Sequence, residues 1–124
     1  MIYISSPYSD PDKQIMQYRY KEVLEFMRFL IRQKTSPISV VAMCHPLQLK
    51  GTDQAFWKAY YTPILEASEK VAVLMLSGWQ SSTGVLDELD TARTLNKSID
   101  FYSISEGAYQ KVQRTYTYQK QCIL

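Results

Sequence analysis

Three carboxylates, Asp87, Glu88 and Asp90, follow closely on the small-residue run Ser81, Ser82, Thr83 and Gly84, with Val85 and Leu86 between. A carboxylate placed rigidly at the mouth of a sheet can attack an anomeric carbon or stabilise an oxocarbenium-like transition state. Glu88 is the candidate for that role. The general alternative is that acids near a helix N-terminus simply oppose the macrodipole. The run before the acids is built like an anion site: the N–H and hydroxyl groups of Ser82, Thr83 and Gly84, at a helix entry, suit a phosphate. Plain N-capping by Ser or Thr is the competing account. Neither a Gly-Lys-Ser/Thr phosphate loop nor a GxGxxG is present.

A second set of polar side chains opens the chain. Tyr3, Ser5, Ser6 and Tyr8 stand in "YISSPYS". Tyr8 could hydrogen-bond a sugar or a carboxylate, and Ser5 or Ser6 could meet a ligand through backbone or hydroxyl. A turn with a half-buried tyrosine would look the same. His45, in "CHPL", could bind a base or act as an acid, although a lone loop histidine beside a proline more often serves structure. As the single histidine, it excludes a metal site with several His ligands. Cys44 and Cys122 are far apart and show neither metal spacing nor a disulfide framework.

The elements that must position these groups read as strands alternating with helices. "MIYIS" is a first strand, followed by the turn formers of "SPYSDPD". A helix from about Asp12 carries the stripe Tyr20, Val23, Leu24, Met27, Leu30 and Ile31. "ISVVAM" predicts a second strand, and "CHPLQLKGTD" a loop ending on Asp53 as N-cap. The next helix buries Phe56, Trp57, Tyr60, Ile64 and Leu65, with Pro63 an irregularity; on this stripe Phe56 and Trp57 read as core. "KVAVLML" is apolar at nearly every position, the signature of a parallel strand covered on both faces. A helix over 84–95 presents Val85, Leu89, Ala92 and Leu95, "SIDFYSI" is a fourth strand, and the remainder predicts a helix followed by an extended tail. Lys111, Arg114 and Lys120 read as a solvated or subunit-facing surface.

This order gives a single-domain α/β fold, doubly wound around a mainly parallel sheet. In such sheets ligands bind outside the carboxyl ends of the strands. The three loops there carry Ser, Tyr, Asp, His and Gly. The composition agrees: 124 residues, 46% hydrophobic, with a net charge of +2. That is an ordinary globular chain, too mildly basic to imply nucleic acid or an anionic membrane. Its longest apolar run is too short to span a bilayer, and its start does not read as a signal peptide. A cytoplasmic protein is expected.

Taken in order, "YISSPYSDPD", Arg19, "HPL", "DQAFWKAYYTPILEASEKVAVLMLSGW" and "SSTGVLDELDTA" resemble the nucleoside 2-deoxyribosyltransferase-like superfamily, over residues 1 to about 97. The resemblance is to a small uncharacterised branch from phages and bacteria. It implies a flavodoxin-like or Rossmann-like sheet, a homo-oligomer, no cofactor, and chemistry at the N-glycosidic bond of a nucleoside or its monophosphate. By that resemblance Glu88 is the nucleophile. Tyr3, Ser5 or Tyr8 orients it and lines the base pocket. Ser82, six residues before Glu88, stands where the monophosphate hydrolases have a phosphate-binding serine. Ser6, Arg19, His45, Tyr61, Gly78, Thr83 and Gly84 fall beside the substrate. One position departs: eight residues before Glu69 the family carries an aspartate that helps protonate the base or hold the reactive geometry, and here it is Tyr61. Asp53 lies two helical turns away from that place. An N-glycosidase or transferase is therefore expected, with a non-catalytic nucleotide binder on the same fold as the alternative.

Overall fold

A computed structural model describes residues 1–112. Its sheet has five strands in the order β2-β1-β3-β4-β5. These are β1 (Ile2–Ser5), β2 (Pro37–Ile38), β3 (Lys70–Leu74), β4 (Ser98–Ser105) and β5 (Ala108–Lys111). All neighbours run parallel except β4 and β5. Four helices connect them: α1 (Lys13–Arg32), α2 (Val40–Cys44), α3 (Gln54–Ala67) and α4 (Thr83–Thr94). Expected and observed α/β character agree.

Strand residues alternate between two apolar clusters, as the pleat requires. Tyr3, Val71, Val73 and Phe101 join Tyr61 and Leu65 of α3 and Val85, Leu89 and Ala92 of α4. Ile2, Ile4, Ala72, Leu74 and Tyr102 join Val23, Phe26 and Leu30 of α1. β3 is paired on both edges and buried from Val71 to Leu74, so both its faces meet apolar partners. That accounts for its unbroken hydrophobic run.

Four expectations are corrected. The strand expected over 38–43 ends after Ile38, because the Ser39 hydroxyl caps Ala42 N–H at 3.0 Å and starts α2. Val40 and Val41 then pack as helix residues, their β propensity overridden by the cap and by contacts to the two clusters. In α1 the buried stripe is Val23, Phe26 and Leu30, while Ile31 is exposed. In α3 the buried pair is Tyr61 and Leu65, Trp57 and Ile64 are half-buried, and Phe56 and Tyr60 face outward. Pro63 stays inside this helix. The helix expected after β4 is instead a hairpin: Glu106 and Gly107 both take positive φ, the two-residue geometry that returns β5 antiparallel. Lys111 there shares Asp100 with Lys70. Arg114, Lys120, Cys122 and the expected tail lie outside the described residues.

Candidate functional site

The strand order reverses at β1, which lies between β2 and β3 although its chain leaves first toward β2. In open α/β sheets such a point leaves a crevice outside the carboxyl ends of the strands. A cavity of about 630 Å³ lies there. Ser6, Tyr8 and Ser9 after β1 line it, with Val40, Val41, Cys44 and His45 around α2, Trp57 and Tyr61 of α3, and Ser81 to Gly84 with Glu88. Three loops and two helix faces therefore converge on one space.

Glu88 follows the first turn of α4 and reaches back under the sheet. Its Oε1 accepts from the Ser5 hydroxyl at 2.7 Å and its Oε2 from the Tyr3 hydroxyl. Tyr3 and Ser5 are both fully buried and do not line the cavity. They point toward α4 from alternate positions of β1, so one strand face supplies both donors. Burial pushes the Glu88 carboxyl up to about 7, against the opposing pull of the two hydroxyl donors, and Asp87 adds to the rise. Tyr3 is held far above the ordinary phenol range, first by burial and then by the charge of Glu88. It therefore stays a donor throughout the neutral range.

Tyr8, expected among the residues that orient the glutamate, does something else. Its hydroxyl lies 2.6 Å from His45 Nδ1, and His45 Nε2 lies 2.8 Å from Gln17 Oε1. The imidazole stacks on Tyr20, with ring centroids 4.2 Å apart. Burial raises the Tyr8 phenol above its usual value.

Ser82 is the N-cap of α4, its hydroxyl accepting from Val85 N–H at 3.3 Å. Capping is thus an actual role of that oxygen. The first N–H groups of a helix have no intrahelical acceptor, and here that end opens on the cavity at Thr83 and Gly84. Ser6 lines the same cavity, and its hydroxyl is buried without a hydrogen-bond partner among the described residues.

Arg19 and Gly78 are not in the cavity lining. Arg19 instead donates to the carbonyls of Tyr8, Ser9 and Ser77, binding the loop after β1 to the loop after β3. Gly78 has φ +89°, and a Cβ there would stand 3.0 Å from Arg19 Nη2, so the turn needs glycine for conformation and for space. Tyr61 is nearly fully buried, and its hydroxyl donates to Asp87 Oδ2 at 2.7 Å. Gln54 and Lys58 complete the Asp87 environment. Asp53, the distant acid, caps α3 through Phe56 N–H.

Sequence reasoning missed Trp57 and the apolar side chains Met16, Val40 and Leu49 as cavity lining. Trp57 could have been flagged by its partner: its indole N–H donates to Thr52 in the preceding loop, at 3.0 Å. Among the described residues no helix is long and apolar enough to cross a membrane, and no three metal-ligating side chains cluster.

The chain belongs to the family described as domain of unknown function (DUF1937), whose model matches residues 1–104. No curated protein matches it. The matched span includes every side chain of the cavity.

Proposed function

We propose that this chain cleaves or transfers at the N-glycosidic bond of a nucleoside 5′-monophosphate, with Glu88 as nucleophile. The observation that carries the reading is Glu88 itself: a carboxylate on a cavity wall, with one hydroxyl donor on each oxygen. Such a group is fixed in direction and still ionises near neutrality. In this reading Glu88 attacks C1′, the base departs, and water or a second base resolves the glycosyl-enzyme. Thr83 and Gly84 N–H groups face the phosphate at the α4 N-terminus. The unpartnered Ser6 hydroxyl fits a polar ligand in the same space.

The strand order supports placing the fold with doubly wound, flavodoxin-like sheets, with an antiparallel fifth strand as the variation. The resemblance to deoxyribosyltransferase-like proteins supports a cytoplasmic homo-oligomer. The exposed Leu47, Leu49, Phe56 and Tyr60 offer apolar surface for subunit contact.

The test is base release from a panel of nucleoside monophosphates. Glu88→Ala should lower it by at least about a hundredfold, the scale of losing a main catalytic group. Wild-type turnover in that variant rejects the nucleophile. The second reading, nucleotide binding without turnover, is favoured by Tyr61: the position of the expected acid is a phenol already committed to Asp87. Retention of nucleotide after gel filtration without release of base would select it.

A further inference from the structure

We propose that Tyr8, backed by His45, is the acid that delivers a proton to the departing base. This rests on the glycosidic-cleavage reading above and supplies the group which that reading lacks. A nucleobase leaves C1′ poorly without protonation, so a donor is needed beside the nucleophile. Among the described residues, the ionisable side chains lining the cavity are Tyr8, His45, Cys44, Tyr61 and Glu88. Glu88 is the nucleophile. The Tyr61 proton is committed to Asp87. Cys44 is engaged with Tyr60. Tyr8 is spared from Glu88, because Tyr3 and Ser5 already occupy both carboxylate oxygens.

The hydrogen bonds around His45 define a relay. Gln17 Oε1 can only accept, so His45 Nε2 carries a proton and, in the neutral ring, Nδ1 accepts from Tyr8. In the imidazolium both nitrogens donate. Nδ1–H then points at the Tyr8 oxygen and turns the phenolic proton toward the cavity.

The step balances as follows. The C1′–N bond breaks and its electron pair goes to the base. The Tyr8 proton passes to a nitrogen or carbonyl oxygen of that base, and the His45 Nδ1 proton replaces it on Tyr8. A Glu88 oxygen bonds to C1′. His45 ends neutral, with its remaining proton on Nε2, facing the Gln17 Oε1 acceptor at 2.8 Å. Water then attacks C1′, Glu88 leaves as the carboxylate, and the water's proton returns through Tyr8 to His45 Nδ1. Tyr8 is the catalytic residue here, and His45 is a positioning residue that acts through it.

The test separates leaving groups. Wild type, Tyr8→Phe, His45→Gln and Glu88→Ala are assayed on nucleoside 5′-monophosphates and on a 4-nitrophenyl 2-deoxyriboside 5-phosphate, whose nitrophenolate departs without a proton. In single-turnover measurements, which read only the step that expels the leaving group, Tyr8→Phe should slow base release about a hundredfold, at the lower end for a lost general acid, and leave nitrophenolate release within about threefold of wild type. His45→Gln should show the same split with a smaller loss. Glu88→Ala should lose both reactions. Nitrophenolate release also reports that the Tyr8 and His45 variants are folded, and a thermal melt reports it for Glu88→Ala. Equal slowing of both leaving groups by Tyr8→Phe, or wild-type base release in that variant, overturns the acid assignment while leaving the nucleophile standing. A wild type inert on both substrates overturns the cleavage reading itself, and the relay with it.

Discussion

Burial opposes the Glu88 charge, and two hydroxyl donors from β1 favour it; burial prevails, and the carboxyl is pushed up to about 7 from an ordinary 4.5. The sign of the stability effect follows. Between those two values the folded chain holds more proton than the unfolded chain, so stability falls as pH rises through the window. The slope is at most about 1.4 kcal/mol per pH unit. Glu88→Gln keeps the shape and removes the titration. It should melt above wild type at about pH 8 and converge with it below about pH 4, where Glu88 is neutral in the folded and the unfolded chain alike. Melting curves that run parallel across the range would mean that Glu88 does not ionise against burial. Tyr3→Phe tests the opposing force: it removes a bond that lowers the Glu88 value, so the rising limb of any rate profile should move to higher pH. An unmoved limb would detach Tyr3 from Glu88.

At the scale of elements, α4 carries two jobs that one substitution can separate. Gly84 sits in its first turn, where an added Cβ would meet nothing closer than Ser82 Oγ at 3.9 Å. Gly84→Ala should therefore leave the fold intact or stabilise it by up to about 1 kcal/mol, the helix-propensity difference. If the phosphate approaches that backbone, the same methyl should weaken monophosphate binding more than binding of the free nucleoside. Equal effects on both ligands, measured by calorimetry, would move the phosphate elsewhere. α4 and β3 were legible in the sequence because their signals agree: a Ser cap before a 3.6-residue stripe in one, an unbroken apolar run in the other. α2 was not, because Val40 and Val41 favour strands and only the Ser39 cap says otherwise. In α3 two aromatic stripes compete, Phe56 with Tyr60 and Trp57 with Tyr61. The choice depends on Asp87, which belongs to a different element and holds the Tyr61 hydroxyl inward. The hairpin after β4 has its Gly107, but the preceding Glu106 is an uncommon residue for positive φ. Glu88, Tyr3 and Ser5 could be picked as candidates from residue type and order. That Tyr3 and Ser5 hold Glu88, while Tyr8 turns to His45, depends on strand parity and loop path.

Across the whole molecule, the cavity lies where loops from separate strands are kept together at one sheet edge, and Arg19 spans two of them. From α1 its guanidinium gives one nitrogen to Tyr8 and Ser9 carbonyls and the other to Ser77 carbonyl, at 3.0 to 3.3 Å. The loop after β1 and the turn that leads into α4 are thereby joined. A guanidinium can do this because its donors form a flat fork, whereas an ammonium is a point charge. Arg19→Lys should thus behave almost as Arg19→Met does. Each should lose about 1–3 kcal/mol of stability, the range for hydrogen bonds to a charged group left unmade. Amide exchange should speed up together at residues 6–9 and 77–84, on opposite sides of the cavity, while β3 stays protected. Nucleotide affinity should fall in step with that loosening, although Arg19 is not in the cavity lining. Faster exchange in one loop alone would show that the two are held independently. Full retention of affinity in Arg19→Met would mean that the site is set by the strands and α4 without the staple.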